Sequence, residues 1–138
     1  MVIKEAGLKD IQALMDLYSE LSMVYTDRPD IIISAISDPN TKLFVLEDGE
    51  KIVGAACLSF RIVPSFGKVG YVDDVIVNST FRKKGFGELL TIHCIDEAKK
   101  NGCARIELTS HPIRIAANKL YRKLGFKKTG TNCYQLKF

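Results

Sequence analysis

At 138 residues, with 46% hydrophobic and 26% charged positions, the chain has the composition of one globular domain and excludes a disordered or fibrous polymer. Its four cysteines, Cys57, Cys94, Cys103 and Cys133, form no C-x-x-C pair and are accompanied by only two histidines, which excludes zinc-ligand spacing and reads as idle, reduced thiols. The net charge of +4 conceals a division: residues 1–78 carry 7 Lys+Arg against 12 Asp+Glu, a net of −5, and residues 79–138 carry 13 against 4, a net of +9.

The opening MVIKEAGLKD is charged and lacks an apolar leader run, and no apolar stretch approaches bilayer length, so the expectation is a soluble, cytoplasmic chain with no membrane partner. VIKEA reads as a first short strand. Leu8, Ile11, Leu14, Met15, Leu17, Tyr18 and Leu21 then recur near helical spacing over residues 8–22. TDRPD breaks that helix, and residues 30–37 suit a second one ended by DPN. KLFVLE and KIVGAACLSF flank EDGE, an Asp-Gly hairpin signal, and VPSFGK leads into a third strand, VGYVDDVIV, residues 69–77.

The order then switches. A helix over about residues 86–100, closed by Asn101 and Gly102, precedes the strand ARIELTS. A last helix over about 113–124, with Pro112 in its first turn, is closed by Gly125. Ile113, Ala116, Ala117, Leu120, Tyr121 and Leu124 mark its expected buried stripe. FKKTG and CYQLKF read as two final strands. No linker, repeat or low-complexity segment interrupts the chain, so residues 1–138 are taken as a single domain. Its class is an α/β (α+β) sandwich with a mixed, mainly antiparallel sheet.

Between the third strand and the helix stands FRKKGFG, residues 81–87. It lacks the G-K-[ST] of a Walker A loop, and Leu90 occupies the third-glycine position of a dinucleotide fingerprint, so both nucleotide-fold readings fail. What remains is an anion site of a simpler kind. The first amides of a helix have no intrahelical acceptor and carry the positive end of the macrodipole. Gly85 and Gly87 let a ligand approach the backbone, and Arg82, Lys83 and Lys84 add charge suited to a pyrophosphate.

R-x-x-G-x-G after a strand, followed by a helix, a strand and a helix bearing N-x-x-Y ahead of L-G-F, resembles the GNAT superfamily of acyl-coenzyme A N-acyltransferases. The matching residues are Arg82, Gly85 and Gly87, Asn118 and Tyr121 in ANKLYRKLGF, and the strand VDDVIV. The match is densest over residues 70–127. It implies a three-layer fold with about seven strands, helices on both faces, and a splay between the fourth and fifth strands, here residues 70–77 and 104–110. It also implies acetyl-CoA as co-substrate, with no metal, and transfer of the acetyl group to a primary amine by direct attack in a ternary complex.

The resemblance further implies roles. Val75, Ile76 and Val77 would offer backbone groups to the acetyl group and pantetheine, with an N–H near Val75 polarising the thioester carbonyl. Amides of Lys84, Gly85, Phe86, Gly87 and Glu88 would meet the pyrophosphate, flanked by Arg82 and Lys83. Phe86 is bulkier than the aliphatic residue usual between the two glycines and would alter the packing beneath the loop. Asn118 would bond the pantetheine, and the Tyr121 hydroxyl would act as general acid for the departing thiolate.

Asp73 and Asp74, adjacent on a strand, are expected to face opposite sides of the sheet. Asp74, eight residues before Arg82, matches the family's usual acidic position and is the expected base; Asp73 would orient or bind substrate. His111 is a lesser candidate for the base, and His93 reads as structural. The acidic half would attract a cationic amine while the basic half holds the cofactor. The acceptor is expected to be a small amine or aminosugar, with a protein lysine or N-terminus, or a non-catalytic CoA-binding module, as alternatives. Nucleic acid is not expected, because no aromatic or DNA-binding pattern interleaves the cations. Oligomeric state is open, a homodimer included.

Overall fold

A computed structural model describes residues 1–22 and 25–138. In chain order its elements are β1 (Val2–Glu5), a 3-10 turn (Leu8–Asp10), α1 (Ile11–Leu21), α2 (Pro29–Ser37), β2 (Thr41–Asp48), β3 (Lys51–Val63) and β4 (Gly67–Val77). A second 3-10 turn (Ser79–Phe81), α3 (Phe86–Lys100), β5 (Arg105–Leu108) and α4 (Ile115–Lys123) follow. The sheet order is β1-β2-β3-β4-β5, antiparallel except for the parallel β4–β5 pair. Gly49, at φ +65°, makes the turn between β2 and β3, as its Asp-Gly signal requires.

Two layers of helix cover this sheet, so its central strands are apolar on both faces. On β2 the run from Leu43 to Leu46 is buried at every position: Phe44 and Leu46 face one side, Leu43 and Val45 the other. Phe86, Leu90, Cys94 and Ala98 of α3 close the first face against Phe44, Val53, Leu58 and Val72. Leu14, Leu17 and Tyr18 of α1, with Ile32 of α2, close the second against Leu43, Val45, Ala55 and Ile76.

Where α3 crosses β3 the backbones approach closely, and Gly54 marks the point. A methyl group there would stand 3.0 Å from the Ile76 carbonyl oxygen and 3.1 Å from Leu90 Cδ1. The carbonyl belongs to the strand ladder and cannot yield. Gly54→Ala is therefore expected to cost about 1–3 kcal/mol, read as a lower urea midpoint at unchanged slope.

Three expectations need correction. Among the described residues the sheet has five strands, not about seven: FKKTG and CYQLKF form none, and residues 127–138 are exposed throughout. Strand propensity needs an edge to pair with, and Gly125, at φ +97°, turns the chain out of α4 without leading it to one. The last helix also starts later than expected. Ile113 N–H donates to His111 Nδ1, Ile115 N–H to the Ile113 carbonyl, and the Asn118 side-chain amide to the carbonyls of His111 and Arg114. These bonds hold residues 111–114 as a turn, which leaves Ile113 and Ala116 exposed and confines the buried stripe to Tyr121 and its half-buried neighbours Ala117, Leu120 and Leu124.

The third correction concerns β4. Ala55 pairs with Ile76 and Cys57 with Asp73, so Ala56 alone opposes both Asp74 and Val75. This is a β-bulge, and Asp74 takes the left-handed conformation within it, at φ +52°. The extra residue shifts the strand's alternation by one: Val72, Val75 and Val77 all face the α3 side, and Ile76 faces α1. Strict alternation, which set Asp73 and Asp74 on opposite faces, does not hold here.

Candidate active site

The bulge lies where the sheet opens. β5 pairs with β4 only from Val69↔Arg105 to Val72↔Leu108, after which β5 ends and β4 continues to Val77. Among the described residues, 73–77 therefore have β3 on one side and no strand on the other. An extended ligand arm can pair with such an edge by strand addition.

At the mouth of this splay is a cavity of about 190 Å³ lined by Leu21, Val72, Asp73, Asp74, Val75, Leu108, Thr109, Arg114 and Tyr121. Four expected site residues thus share one hollow: Asp73, Asp74, Val75 and Tyr121. Both carboxylates remain open to it, yet the protein around them strips enough water to push their pKa values up. For Asp74 the neighbouring Asp73 charge adds to that burial. Cys57, paired with Asp73 across the strands, is pushed up to about 12, first by burial and then by the two aspartates. A carboxylate with a raised pKa is a stronger base than an ordinary one, and a pair of them attracts a cation.

Tyr121 is 7% exposed and packs edge-on against Phe126, ring centroids 5.9 Å apart. Burial raises its hydroxyl pKa, opposed by the charge and hydrogen bond of Arg114. The phenol is thus protonated at neutral pH and has a proton to give. Asn118 spends its amide hydrogens on the His111 and Arg114 carbonyls, so it shapes the turn that carries Arg114 to the cavity and keeps only its oxygen for a ligand.

The loop before α3 is built from the other side of the molecule. Glu20, at the end of α1, accepts from Asn78 Nδ2 at 2.9 Å and from Ser79 N–H at 2.8 Å. Arg82 folds back over β4: its Nε donates to the Val77 carbonyl at 3.0 Å, and its Nη2 stands 3.7 Å from Glu20. Lys83, at φ +62°, and Gly85, at φ +81°, both adopt the left-handed region and turn the chain into α3. The first bond of that helix runs from Leu89 N–H to the Gly85 carbonyl, so the amides just ahead of it have no intrahelical acceptor.

Phe86 points downward, 6% exposed, and stacks on Phe81, whose ring also carries Lys84 Nζ at 4.9 Å and Lys51 Nζ at 5.2 Å. Its bulk therefore fills the core and leaves the loop rim open. A side chain at Gly87 would meet only open space, so the helix start is accessible from above. Glu88 is tied to Lys123 of α4 at 2.8 Å, joining the two helices beside the loop.

Gly85→Ala places a Cβ at positive φ and is expected to cost roughly 1–2 kcal/mol of backbone strain. Relief of that strain would turn the amides away from an anion. The expected result is a lower melting temperature and a dissociation constant for coenzyme A raised by up to about tenfold, measured by calorimetry.

Residues that sequence reasoning missed are Arg114, Glu20, Leu21 and Thr109. Arg114 carried a signal: it stands seven positions before Tyr121, the same helical face. Glu20 carried none, since its partners are 58 and 59 residues away. His93 packs edge-on against Phe44 at 4.5 Å, a structural place as expected, and His111 accepts from the Ile113 amide outside the cavity. A larger hollow of about 590 Å³ between α1 and the β2–β3 hairpin is lined by Lys9, Asp10, Asp16, Glu47, Glu50 and Lys51 among others, and shares no residue with the first. No helix among the described residues is long and apolar enough to cross a membrane.

Against known proteins, the model of the acetyltransferase (GNAT) family matches residues 11–126. N-acetyltransferase 8B of Rattus norvegicus is 32% identical over 108 residues, covering 78% of this chain and 49% of that protein. Glucosamine 6-phosphate N-acetyltransferase of Trypanosoma brucei brucei is 32% identical over 91 residues, covering 63% and 58%. The chain thus spans about half the length of these relatives. Among solved structures, a putative acetyltransferase from Agrobacterium tumefaciens superposes with a TM-score of 0.86 over 98% of this chain and 100% of that one, at 22% identity, a likeness of fold.

Proposed function

The chain belongs to the acetyltransferase (GNAT) family, and from that premise we propose that it transfers the acetyl group of acetyl-CoA to a small primary amine by direct attack in a ternary complex. The observation that carries the proposal is the convergence of Asp73, Asp74, Val75 and Tyr121 on one cavity at the open end of the β4–β5 pair. The chain's features fit the cofactor. The unpaired side of residues 73–77 suits the pantetheine arm, and the amides at the start of α3, with open space over Gly87, suit the pyrophosphate. Bound there, acetyl-CoA supplies an activated acetyl group.

The residues divide the work by charge and proton. An alkylammonium has a pKa near ~10 and must lose a proton before it attacks. Asp73 and Asp74 hold the ammonium, and Asp74 takes the proton directly or through water. A backbone N–H at Val75 steadies the negative charge that develops on the carbonyl oxygen. Tyr121 gives its proton to the leaving sulfur. Arg82 braces the loop through Val77 and Glu20, while Lys83 and Lys84 keep the rim positive.

Thiol release from acetyl-CoA across a panel of amines tests this. Release with small cationic amines is the expected result; glucosamine 6-phosphate belongs in the panel because of the trypanosome relative. Preference for anionic amines would overturn the role given to the two aspartates. Coenzyme A binding without release for any amine, protein lysines included, would instead mark a non-catalytic module.

A further inference from the structure

Glu20 stands in the last turn of α1, at the negative end of the helix macrodipole, where a carboxylate is disfavoured and where that turn carries no cation to offset it. A residue set against its local preference is held by what it meets across the fold. Glu20 accepts from Asn78 Nδ2 and Ser79 N–H at the exit of β4, and it pairs with Arg82 Nη2 at 3.7 Å.

Arg82 reaches the same place from the other direction. The 3-10 turn Ser79–Phe81, capped by Asn78 through Thr80 N–H at 3.1 Å, brings the chain back so that Arg82 Nε donates to the Val77 carbonyl at 3.0 Å. Asn78 N–H donates to the Val53 carbonyl of β3 at 2.8 Å, and across a trans peptide the C=O points opposite to the N–H. The Val77 carbonyl therefore faces away from β3, towards the side on which residues 73–77 have no strand partner among the described residues. Arg82 thus covers the last acceptor of the edge that suits a pantetheine arm.

We propose that Arg82 is a specificity-determining residue: its guanidinium closes the β4 edge at Val77 and is drawn off by the diphosphate of the incoming arm, an inference that rests on the proposed use of acetyl-CoA. The exchange suits both sides. The Arg82 side chain is half exposed, and a 3.7 Å ion pair of that kind holds weakly. A guanidinium fork matches phosphate oxygens with two bonds, and the α3 amides that suit a diphosphate start just beyond Gly85. A neutral arm must displace Arg82 without offering it another partner. An arm with a diphosphate supplies that partner and takes the Val77 carbonyl for its own amide N–H. Arg82 thereby favours coenzyme A thioesters over thioesters whose arm lacks the anion.

Nuclear magnetic resonance titrations with pantetheine and inorganic pyrophosphate, two parts of the arm used as separate probes, test this. Saturating pyrophosphate should tighten pantetheine binding to the wild-type chain about fivefold or more, the scale of coupling between two sites. Pantetheine is uncharged, so direct attraction between the probes does not supply that factor. In Arg82→Met, with an unchanged far-ultraviolet spectrum, pantetheine alone should bind more tightly than to wild type and the coupling should fall to unity. A wild-type coupling of unity, a wild type that binds neither probe, a coupling that survives in the variant, or a variant that gains no affinity for pantetheine alone overturns the assignment. Coupled binding without thiol release for any amine would keep the role of Arg82 and overturn the acetyl transfer proposed above; transfer without coupling would do the reverse.

Discussion

Replacing Asp74 by asparagine should lower kcat/KM for the amine by about 100-fold at neutral pH, the scale of a lost general base. Asparagine is the informative substitution because Asp74 sits at φ +52°, a region that asparagine tolerates and alanine does not. The bulge is therefore kept while the proton acceptor is removed. The pH profile should change with it. Activity of the wild-type chain should rise through the raised pKa of Asp74, and in the variant that limb should disappear, leaving the ionisation of the free amine. Asp73→Asn should act differently: removing the charge that helps raise Asp74 moves the wild-type limb to lower pH.

Stability should move the opposite way from activity. Burial and Asp73 raise the pKa of Asp74 above 3.8, so the folded state binds its proton more tightly than the unfolded state does. Its contribution to stability is full below the unfolded value and is lost as pH rises through the folded value. At neutral pH the ionised side chain is a net cost, which the asparagine amide does not carry. Melting temperatures of variant and wild type should coincide well below pH 3.8 and separate as pH rises through and above it, the variant the more stable. Unchanged kcat/KM in Asp74→Asn would place the base elsewhere.

Periodicity and glycine placement were enough to find most of the scaffold. The 86–100 helix, its closing Gly102 and the hairpin at Gly49 were legible because each depends on local backbone preference and on a face that must be buried. The bulge at Asp74 was not, since an extra residue on one strand shows only against its partner, and strand alternation read from one chain segment assumes there is none. Glu20 was hidden for a related reason: its bonds to Asn78 and Ser79 are tertiary and leave no spacing to read. The final strands fail differently. CYQLKF has the right pattern, but a strand exists only where a second strand accepts its hydrogen bonds, and among the described residues none does. Local signals thus placed the helices and turns that hold the site, while long-range pairing decided which carboxylates meet inside it.

Tyr121→Phe isolates one hydroxyl from an otherwise intact packing position. The ring keeps its edge-on contact with Phe126 and its place in the cavity wall, and what is lost is the hydroxyl and its electrostatic interaction with Arg114. If the hydroxyl donates its proton to the departing sulfur, kcat should fall by about 100-fold or more, since general acid catalysis contributes on that scale. KM for acetyl-CoA and for the amine should stay within a few-fold, because neither the α3 amides nor the carboxylate pair is touched. A purely structural role for the phenol could lower kcat as well, so the decisive measurement uses the leaving group. An acetyl thioester of a more acidic thiol expels its thiolate with less need for a proton, and with that donor the gap between wild type and variant should shrink towards unity. A gap that stays the same for both donors would assign the hydroxyl to orientation through Arg114, and unchanged turnover at saturating substrate would remove it from the chemistry altogether.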